Sequence, residues 1–157
     1  MKSGAGGNWR RFDEQFDVSI VKQTSGISCV FAVGEMLLRS RGVSLSQDKI
    51  RDLVGEPADA GSLARCLNRF DVSGDGKIWR GIATDNQGLE ILFRQKGWAA
   101  ILREPLEMGH AVFIEGRTRN GLIKIKDSFD QTAYKMTAGD FLQYWGGQAI
   151  VRWFPAE

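Results

Sequence analysis

The spacing of apolar residues changes along this chain, and that change constrains its fold more than any other feature. Between residues 28 and 70 the apolar residues recur every three or four positions, the period of a helix that packs on one side. After Gly97 they gather into short runs separated by turn residues, a pattern typical of antiparallel strands. Helices followed by strands predict an α+β fold in which an N-terminal helical layer packs on a C-terminal antiparallel sheet.

Capping residues and glycines set the expected bounds of these elements. The central helix begins at Ser28, which can cap it, and ends at Gly42, where a left-handed residue commonly stops a helix. Ser44 and Gln47 have the spacing of a capping box before a second helix. Further helices are predicted at residues 62–70, 86–96 and 138–145, and strands at residues 77–83, 98–102, 110–115, 122–127, 133–136 and 148–154, while residues 12–21 are compatible with an edge strand.

Composition favours one domain and argues against several classes of function. With 157 residues, 43% of them hydrophobic, the chain can bury one core, so we expect a single domain over residues 1–157 with residues 1–11 as a flexible lead-in. The net charge of +2, with both signs interspersed, gives no electrostatic footprint for nucleic acid. From the small, polar residues 1–7 we expect no signal peptide, and we expect no membrane span because no apolar run reaches roughly 18 residues. We expect a cytoplasmic protein, or an effector delivered from a larger parent.

The two cysteines are too few for a disulfide framework, and their positions suggest different roles. Cys66 lies on the apolar stripe of the third helix and is interpreted as a small core residue. Cys29 lies in the first turn of the central helix, where the helix dipole and unpaired backbone donors favour a thiolate. Cys29 is therefore the candidate nucleophile, although a second small core residue remains the alternative.

His110 is the only histidine, so it cannot belong to a polyhistidine metal site and is instead the candidate base for a thiol. It begins an apolar strand. If residues 117–120 form the following hairpin loop, His110 faces Asp127 directly across the ladder, where a carboxylate can orient the imidazole. A two-residue turn at residues 120–121 would pair Asp127 with Ile114 instead, and both registers remain open.

Gln23 is the candidate donor of an oxyanion hole. It lies six residues before Cys29 on the segment that leads into the central helix, from which its amide can reach the oxygen that becomes negative when a thiolate attacks a carbonyl. The backbone amide of Cys29 would be the second donor. An ordinary exposed glutamine is the alternative interpretation.

Neither a metal nor a cofactor is expected. Residues 71–76 are similar to the first half of a calcium-binding loop. The twelfth position of such a loop would be Ile82, which carries no carboxylate, so this segment is interpreted as a polar turn.

Two other side chains have expected positions near these candidates. Trp145 comes close to the end of the predicted sheet, so we expect it to shield the contact between His110 and Asp127 from water. Glu35 lies in the central helix beyond Cys29, and we expect it on the solvent side.

Several segments occur in a fixed order around the four candidate residues. They are Gln23 to Cys29, His110 to Ile114, Ile125 to Asp127, Met136-Thr137, Phe141 and Trp145-Gly146. In this order, over roughly residues 21–151, the chain resembles the papain-like cysteine peptidases, closest to the C39 and C39-like branch and to papain-fold toxin or effector domains of bacteria. The resemblance implies a papain-like fold, with Cys29 as nucleophile, His110 as general base and then acid, Asp127 as its orienting group and Gln23 as oxyanion donor.

The chain departs from that pattern in two places. C39 domains usually have Asp-Cys-Gly at the nucleophile, where this chain has Ser28-Cys29-Val30. Cys29 and His110 are 81 positions apart, fewer than the about 130 of papain and cathepsins.

Three functions agree with these features. The first is a C39-like cysteine peptidase, the second a glutamine deamidase or transamidase that acts as a bacterial toxin or effector, and the third a catalytically silent module that binds a peptide. Each implies a protein or peptide substrate or ligand, and a toxin would also have an immunity or inhibitor protein.

Overall fold

The computed structural model describes residues 9–25, 28–56, 58–103 and 109–154, which form an α+β fold as predicted. The helices are α1 Cys29–Ser40, α2 Gln47–Val54, α3 Ala60–Phe70, α4 Asn86–Leu92 and α5 Ala138–Tyr144. The strands are β1 Phe12–Phe16, β2 Ile78–Ala83, β3 Trp98–Leu102, β4 His110–Arg117, β5 Ile123–Asp127, β6 Thr132–Met136 and β7 Trp145–Trp153.

The strands form one sheet in the order β1-β6-β5-β4-β3-β7-β2, with every neighbouring pair antiparallel. Helix α1 packs on β4, and α2 and α3 pack on α1, so this layer covers one face of the sheet. Successive side chains of β4 point to opposite faces of the sheet and belong to two different apolar clusters. Ala111 and Phe113 face the helical layer, while Val112 and Ile114 belong to a second cluster on the other face. That second cluster includes Leu89 and Leu92 of α4 and Phe141 of α5, so helices cover both faces.

The helix caps differ in part from the predicted ones. Ser28 occupies the N-cap position of α1, but its hydroxyl donates to the Ser25 carbonyl at 3.0 Å and accepts from the Ser25 N–H at 2.9 Å. The prediction that its side chain caps the helix is therefore wrong, since the hydroxyl closes the preceding turn. In α2 the capping hydroxyl belongs to Ser46 rather than Ser44, and Gly42 ends α1 with a φ of 77° as expected.

The β4–β5 hairpin has neither of the two registers considered from the sequence. Phe113 lies opposite Lys126, and continuing this ladder places Val112, rather than His110 or Ile114, opposite Asp127. The cause is local, because the loop spans residues 118–122 and β4 carries a bulge between Ile114 and Gly116. His110 is two residues before Val112, so it still lies on the same face as Asp127 and diagonal to it.

Strand β1 is an exposed edge strand that pairs with β6 through Phe12 opposite Lys135 and Phe16 opposite Thr132. Of the expected flexible lead-in, residues 1–8 lie outside the described residues, and Trp9 is 4% exposed. Across the described ranges of the chain, none of the helices combines the length and hydrophobicity that crossing a membrane requires.

Candidate active site

Cys29 and His110 come from two elements that pack against each other. Cys29 is the first residue of α1, His110 is the first residue of β4, and α1 lies on β4. Both side chains are buried, and the thiol interacts with the imidazole. The Nδ1 atom of His110 has no hydrogen-bond partner among the described residues, so this nitrogen is available to the thiol.

Asp127 holds the other side of the imidazole. Its Oδ1 lies 2.8 Å from His110 Nε2, and the carboxylate is completely buried. The Phe129 N–H donates to Oδ1 at 3.0 Å, and the Tyr134 hydroxyl donates to Oδ2 at 2.8 Å. Burial alone would raise the pKa of Asp127, but the charge of His110 and these hydrogen bonds outweigh it and hold that pKa well below its usual range.

The same pairing changes the protonation of His110. Burial disfavours the imidazolium, yet the charge and hydrogen bond of Asp127 outweigh that effect, with a smaller contribution from Cys29, and raise the pKa of His110 to about 9. At neutral pH the imidazole is therefore protonated. An imidazolium beside a sulfur at a helix N-terminus favours a thiolate, which is the reactive form of cysteine.

Gln23 is buried and held in one orientation, so the alternative of an ordinary exposed glutamine is wrong. Its Oε1 accepts from the Ser128 hydroxyl at 2.9 Å, and its Nε2 donates to the Ser25 carbonyl at 2.8 Å. Its backbone N–H also donates to the Ser128 carbonyl at 2.9 Å. Because Ser128 fixes the oxygen end of the amide, the NH₂ end points toward Ser25, on the segment that leads to Cys29.

Gln47 is a supporting residue that the sequence analysis missed. Its Oε1 accepts from the Thr24 N–H at 3.1 Å and its Nε2 donates to the Lys22 carbonyl at 2.6 Å. It therefore holds the peptide groups on both sides of Gln23. Nothing in the sequence indicated this contact, because Gln47 is 24 positions from Gln23 and belongs to helix α2, whereas Gln23 lies on the segment before α1.

Glu35 helps to hold Gln47 in place, and its side chain is more buried than expected. Its side chain is 17% exposed. Its Oε1 accepts from the backbone N–H of Gln47 at 2.6 Å, and its Oε2 accepts from Arg39 at 2.9 Å. A carboxylate at the first residue of α2 also interacts favourably with the dipole of that helix.

The indole that covers the imidazole belongs to Trp9 rather than to the expected Trp145. The Trp9 and His110 rings are stacked with their centroids 6.2 Å apart and their planes 23° apart. Trp145 instead packs against Trp98 and Phe141, at centroid distances of 6.4 and 5.7 Å. No motif in the sequence around Trp9 indicates this position.

The remaining candidates have structural contacts. Cys66 lies in the core beside Leu67, as expected, and burial raises the pKa of its thiol. In the segment similar to a calcium loop, Asp75 pairs with Arg152 at 2.7 Å and Asp71 accepts from the Trp79 indole at 2.8 Å. Among the residues that the structure describes, no group of three or more His, Cys, Asp or Glu side chains is arranged to hold a metal ion.

Comparison with curated proteins finds a relative along nearly the whole chain. Cysteine protease effector 1 of Escherichia coli O1:K1:H7 is 34% identical over 153 residues, which are 97% of this chain and 30% of that protein. The chain thus spans less than a third of the length of this relative. No protein-family model matches the chain.

Comparison with solved structures finds the same fold in several peptidase domains. The peptidase domain of Streptococcus ComA, a bifunctional ABC transporter of a quorum-sensing pathway, has a TM-score of 0.66 at 19% identity and covers 86% of this chain and 97% of its own. The corresponding domain of Streptococcus mutans ComA has a TM-score of 0.59 at 17% identity, covering 85% and 97% of the two chains. The C39-like domain of a toxin secretion ATP-binding protein from Vibrio parahaemolyticus has a TM-score of 0.54 at 12% identity, covering 82% and 97%.

The resemblance inferred from the order of Gln23, Cys29, His110 and Asp127 is thus confirmed at the level of the fold. The chain therefore has the fold of these peptidase domains, among them a C39-like one.

Proposed function

We propose that this domain is a C39-like cysteine peptidase that hydrolyses an amide bond of a protein or peptide. The observation that carries the proposal is the buried ion pair of His110 and Asp127, which leaves Nδ1 of the imidazole for Cys29 at the start of α1. A cysteine whose thiol can exchange a proton with a nearby imidazole is the chemical requirement of a cysteine hydrolase. The name of the Escherichia coli relative, a cysteine protease effector, agrees with this activity.

The first half of the reaction forms an acyl-enzyme. The Cys29 thiolate attacks the substrate carbonyl carbon, and the negative charge moves to the carbonyl oxygen. The Gln23 amide and the backbone N–H of Cys29 donate to that oxygen. The His110 imidazolium then gives its proton to the amide nitrogen, the carbon–nitrogen bond breaks, and the amine leaves behind a thioester on Cys29.

The second half restores the enzyme. The imidazole of His110, now neutral, removes a proton from water as the water oxygen attacks the thioester. The carbon–sulfur bond breaks, the acid product leaves, and the thiolate and imidazolium are regenerated. Asp127 keeps the imidazole oriented throughout, because it holds Nε2 while Nδ1 exchanges the proton.

A pocket between the end of β3 and the start of β7 is a candidate site for part of the substrate. Leu102 lies opposite His110 in the ladder, and Trp145 lies opposite Leu102, so the pocket borders this end of the sheet. We propose that it accepts substrate residues next to the scissile bond. Its lining residues are Ile101, Arg103, Gln143, Tyr144, Trp145, Gly146 and Gln148.

Ser28 and Val30 differ from the residues that usually flank the nucleophile of C39 domains, but they do not favour a module that binds a peptide without catalysis. Ser28 replaces the usual aspartate, but its hydroxyl closes the turn with Ser25 and leaves the start of α1 intact. A module that only binds a peptide would have no use for a buried imidazolium and carboxylate, since each ion is costly to desolvate.

We further propose that the domain acts as part of a longer effector, as the name of its relative and the 30% share of that protein suggest. Such an effector would be neutralised in the producing cell by an immunity protein. The test is whether the product of an adjacent gene binds the domain and prevents alkylation of Cys29; a product that binds without protecting this thiol would argue against that inhibitor.

The experiment for the activity compares wild type with Cys29→Ala and the matched control Cys66→Ala. Each protein is incubated with candidate protein substrates, and the products are identified by mass spectrometry. We expect new termini with wild type and Cys66→Ala and none with Cys29→Ala. A mass increase of about one dalton without cleavage would instead identify a glutamine deamidase. Substrates left unchanged by wild type would contradict the proposed enzymatic activity.

A further inference from the structure

Trp9 reaches the candidate active site from a segment that precedes residues 21–151, the part of the sequence that carries the resemblance to C39 peptidases. It precedes β1, and its indole lies over His110 and against Tyr144, with a centroid distance of 5.5 Å to the latter ring. The indole N–H donates to the Tyr134 hydroxyl at 3.0 Å. The Tyr134 hydroxyl in turn contacts Asp127, so a chain of hydrogen bonds connects Trp9 to His110.

The direction of each hydrogen bond in this chain follows from the donors. An indole N–H can only donate, so the oxygen of Tyr134 accepts from Trp9 and its single proton goes to Oδ2 of Asp127. The Phe129 N–H, also only a donor, occupies Oδ1. With both oxygens accepting, Asp127 stays ionised, and the proton that it shares with His110 belongs to Nε2. The neutral imidazole is then bare at Nδ1, the nitrogen available to Cys29.

We propose that Trp9 and Tyr134 are positioning residues of the active site, which set the tautomer of His110 through Asp127. Tyr134 supplies the proton that keeps Asp127 an acceptor, and Trp9 fixes the direction of that proton. The ring of Trp9, itself buried, also keeps water from the imidazole. The effect on catalysis rests on the proposed function, whereas the proton positions do not.

The charged and titratable groups around His110 come from four elements. Asp127 approaches from β5, Tyr134 from β6 and Cys29 from α1. Arg11 approaches from the segment before β1, with its Nη2 3.9 Å from Oδ2 of Asp127 and its guanidinium over the Tyr134 ring at 4.6 Å. The segment before the exposed strand β1 thus contributes Arg11, which lies beside the carboxylate, and Trp9, which lies over the imidazole.

The test uses Tyr134→Phe, Trp9→Phe and the double variant, because phenylalanine keeps an aromatic ring and removes the donor. The readout is an NMR titration of the imidazole, which needs no assignment since the chain has one histidine. Without the Tyr134 hydroxyl, less of the charge of Asp127 is neutralised, so the pKa of His110 should rise by roughly 0.5 to 1. A less acidic imidazolium protonates the leaving amine more slowly, so kcat/KM should fall roughly tenfold.

Trp9→Phe should move the titration in the same direction by less, because Tyr134 still donates. In the double variant Trp9→Phe should add nothing to Tyr134→Phe, since the indole acts through the hydroxyl. Tyr144→Phe is the control for the titration only, since Tyr144 also lines the proposed substrate pocket. Tyr144 packs on Trp9 but makes no hydrogen bond with Asp127, so the His110 titration of this variant should equal that of wild type.

Two results would overturn the proposal. One is a Tyr134→Phe variant with a lower melting temperature and an unchanged His110 titration, which would leave Tyr134 as a core residue only. The other is a further shift when Trp9→Phe is added to Tyr134→Phe. Because the titration needs no substrate, a wild-type protein that lacks peptidase activity but shows the expected shifts would contradict the proposed function alone.

Discussion

His110 keeps its proton at neutral pH because a buried carboxylate faces it, and this affects stability as well as chemistry. The folded state raises the pKa of His110 from the ordinary value of about 6.5 to about 9. The resulting stabilisation is fully present below about pH 6.5. It is lost as the pH rises through about 9. The contribution of Asp127 to stability depends on pH in the opposite direction. Because its pKa is lowered in the folded state, that contribution is lost only as the pH falls into the acid range.

The free energy of unfolding should therefore fall by up to about 3 kcal/mol between pH 6.5 and 9.5 through His110 alone. The measurement is denaturant unfolding of wild type and His110→Gln across this range. The variant should be less stable at pH 6.5 and show a flatter dependence on pH. Parallel curves for the two proteins would show that the pKa of His110 is not raised by folding.

Ser128, which follows Asp127 in the chain, holds the amide oxygen of Gln23 and so fixes the orientation of that side chain. Gln23→Ala should lower kcat by about 10²–10³ with a smaller change in KM, because an oxyanion donor acts mainly in the transition state. Steady-state kinetics check this result, with Gln87→Ala, an exposed glutamine at α4, as control. A loss confined to KM would mean that Gln23 contacts the substrate without stabilising the oxyanion.

At the scale of elements, α2 supports the loop that carries Gln23. Gln47 bonds the peptide groups on both sides of Gln23, and Glu35 of α1 bonds the first residue of α2. Gln47→Ala removes both contacts while leaving the Ser46 cap of the helix in place.

We expect kcat/KM of Gln47→Ala to fall roughly tenfold. The variant leaves the Thr24 N–H and the Lys22 carbonyl unpaired, which costs about 1–3 kcal/mol and lets the loop that carries Gln23 move. The pH at which His110 titrates should not change, because Gln47 does not touch the imidazole. A matched measurement on Gln23→Ala and the double variant should show non-additive losses. Additive losses would mean that Gln47 acts on another step.

Periodicity and local chemistry were enough to predict the elements that present the candidate residues. The central helix from Cys29 and the strand from His110 follow from apolar spacing, because that spacing reflects which side of each element is buried. The β4–β5 register was not predictable, since the five-residue loop and the bulge near Glu115 change it without altering the apolar pattern. Trp9 and Gln47 were missed because their contacts join distant parts of the chain.

At the scale of the whole molecule, helices cover both faces of the single sheet, so its apolar side chains are buried within the described part of the chain. The related effector is more than three times longer. We predict that residues 1–157 fold as one cooperative unit without the rest of such a protein. Far-UV circular dichroism and tryptophan fluorescence should report the same single unfolding transition. Two separated transitions would show that the helical layer and the sheet fold independently.

The central claim is that His110 activates Cys29, and the chain provides its own control because Cys66 is equally buried. The most direct measurement is the rate of iodoacetamide alkylation of each cysteine as a function of pH, in wild type and in His110→Ala. We predict that Cys29 reacts faster than Cys66 already at mildly acidic pH, and that His110→Ala removes this difference. Equal and slow alkylation of both cysteines in wild type, unchanged by His110→Ala, would contradict the account.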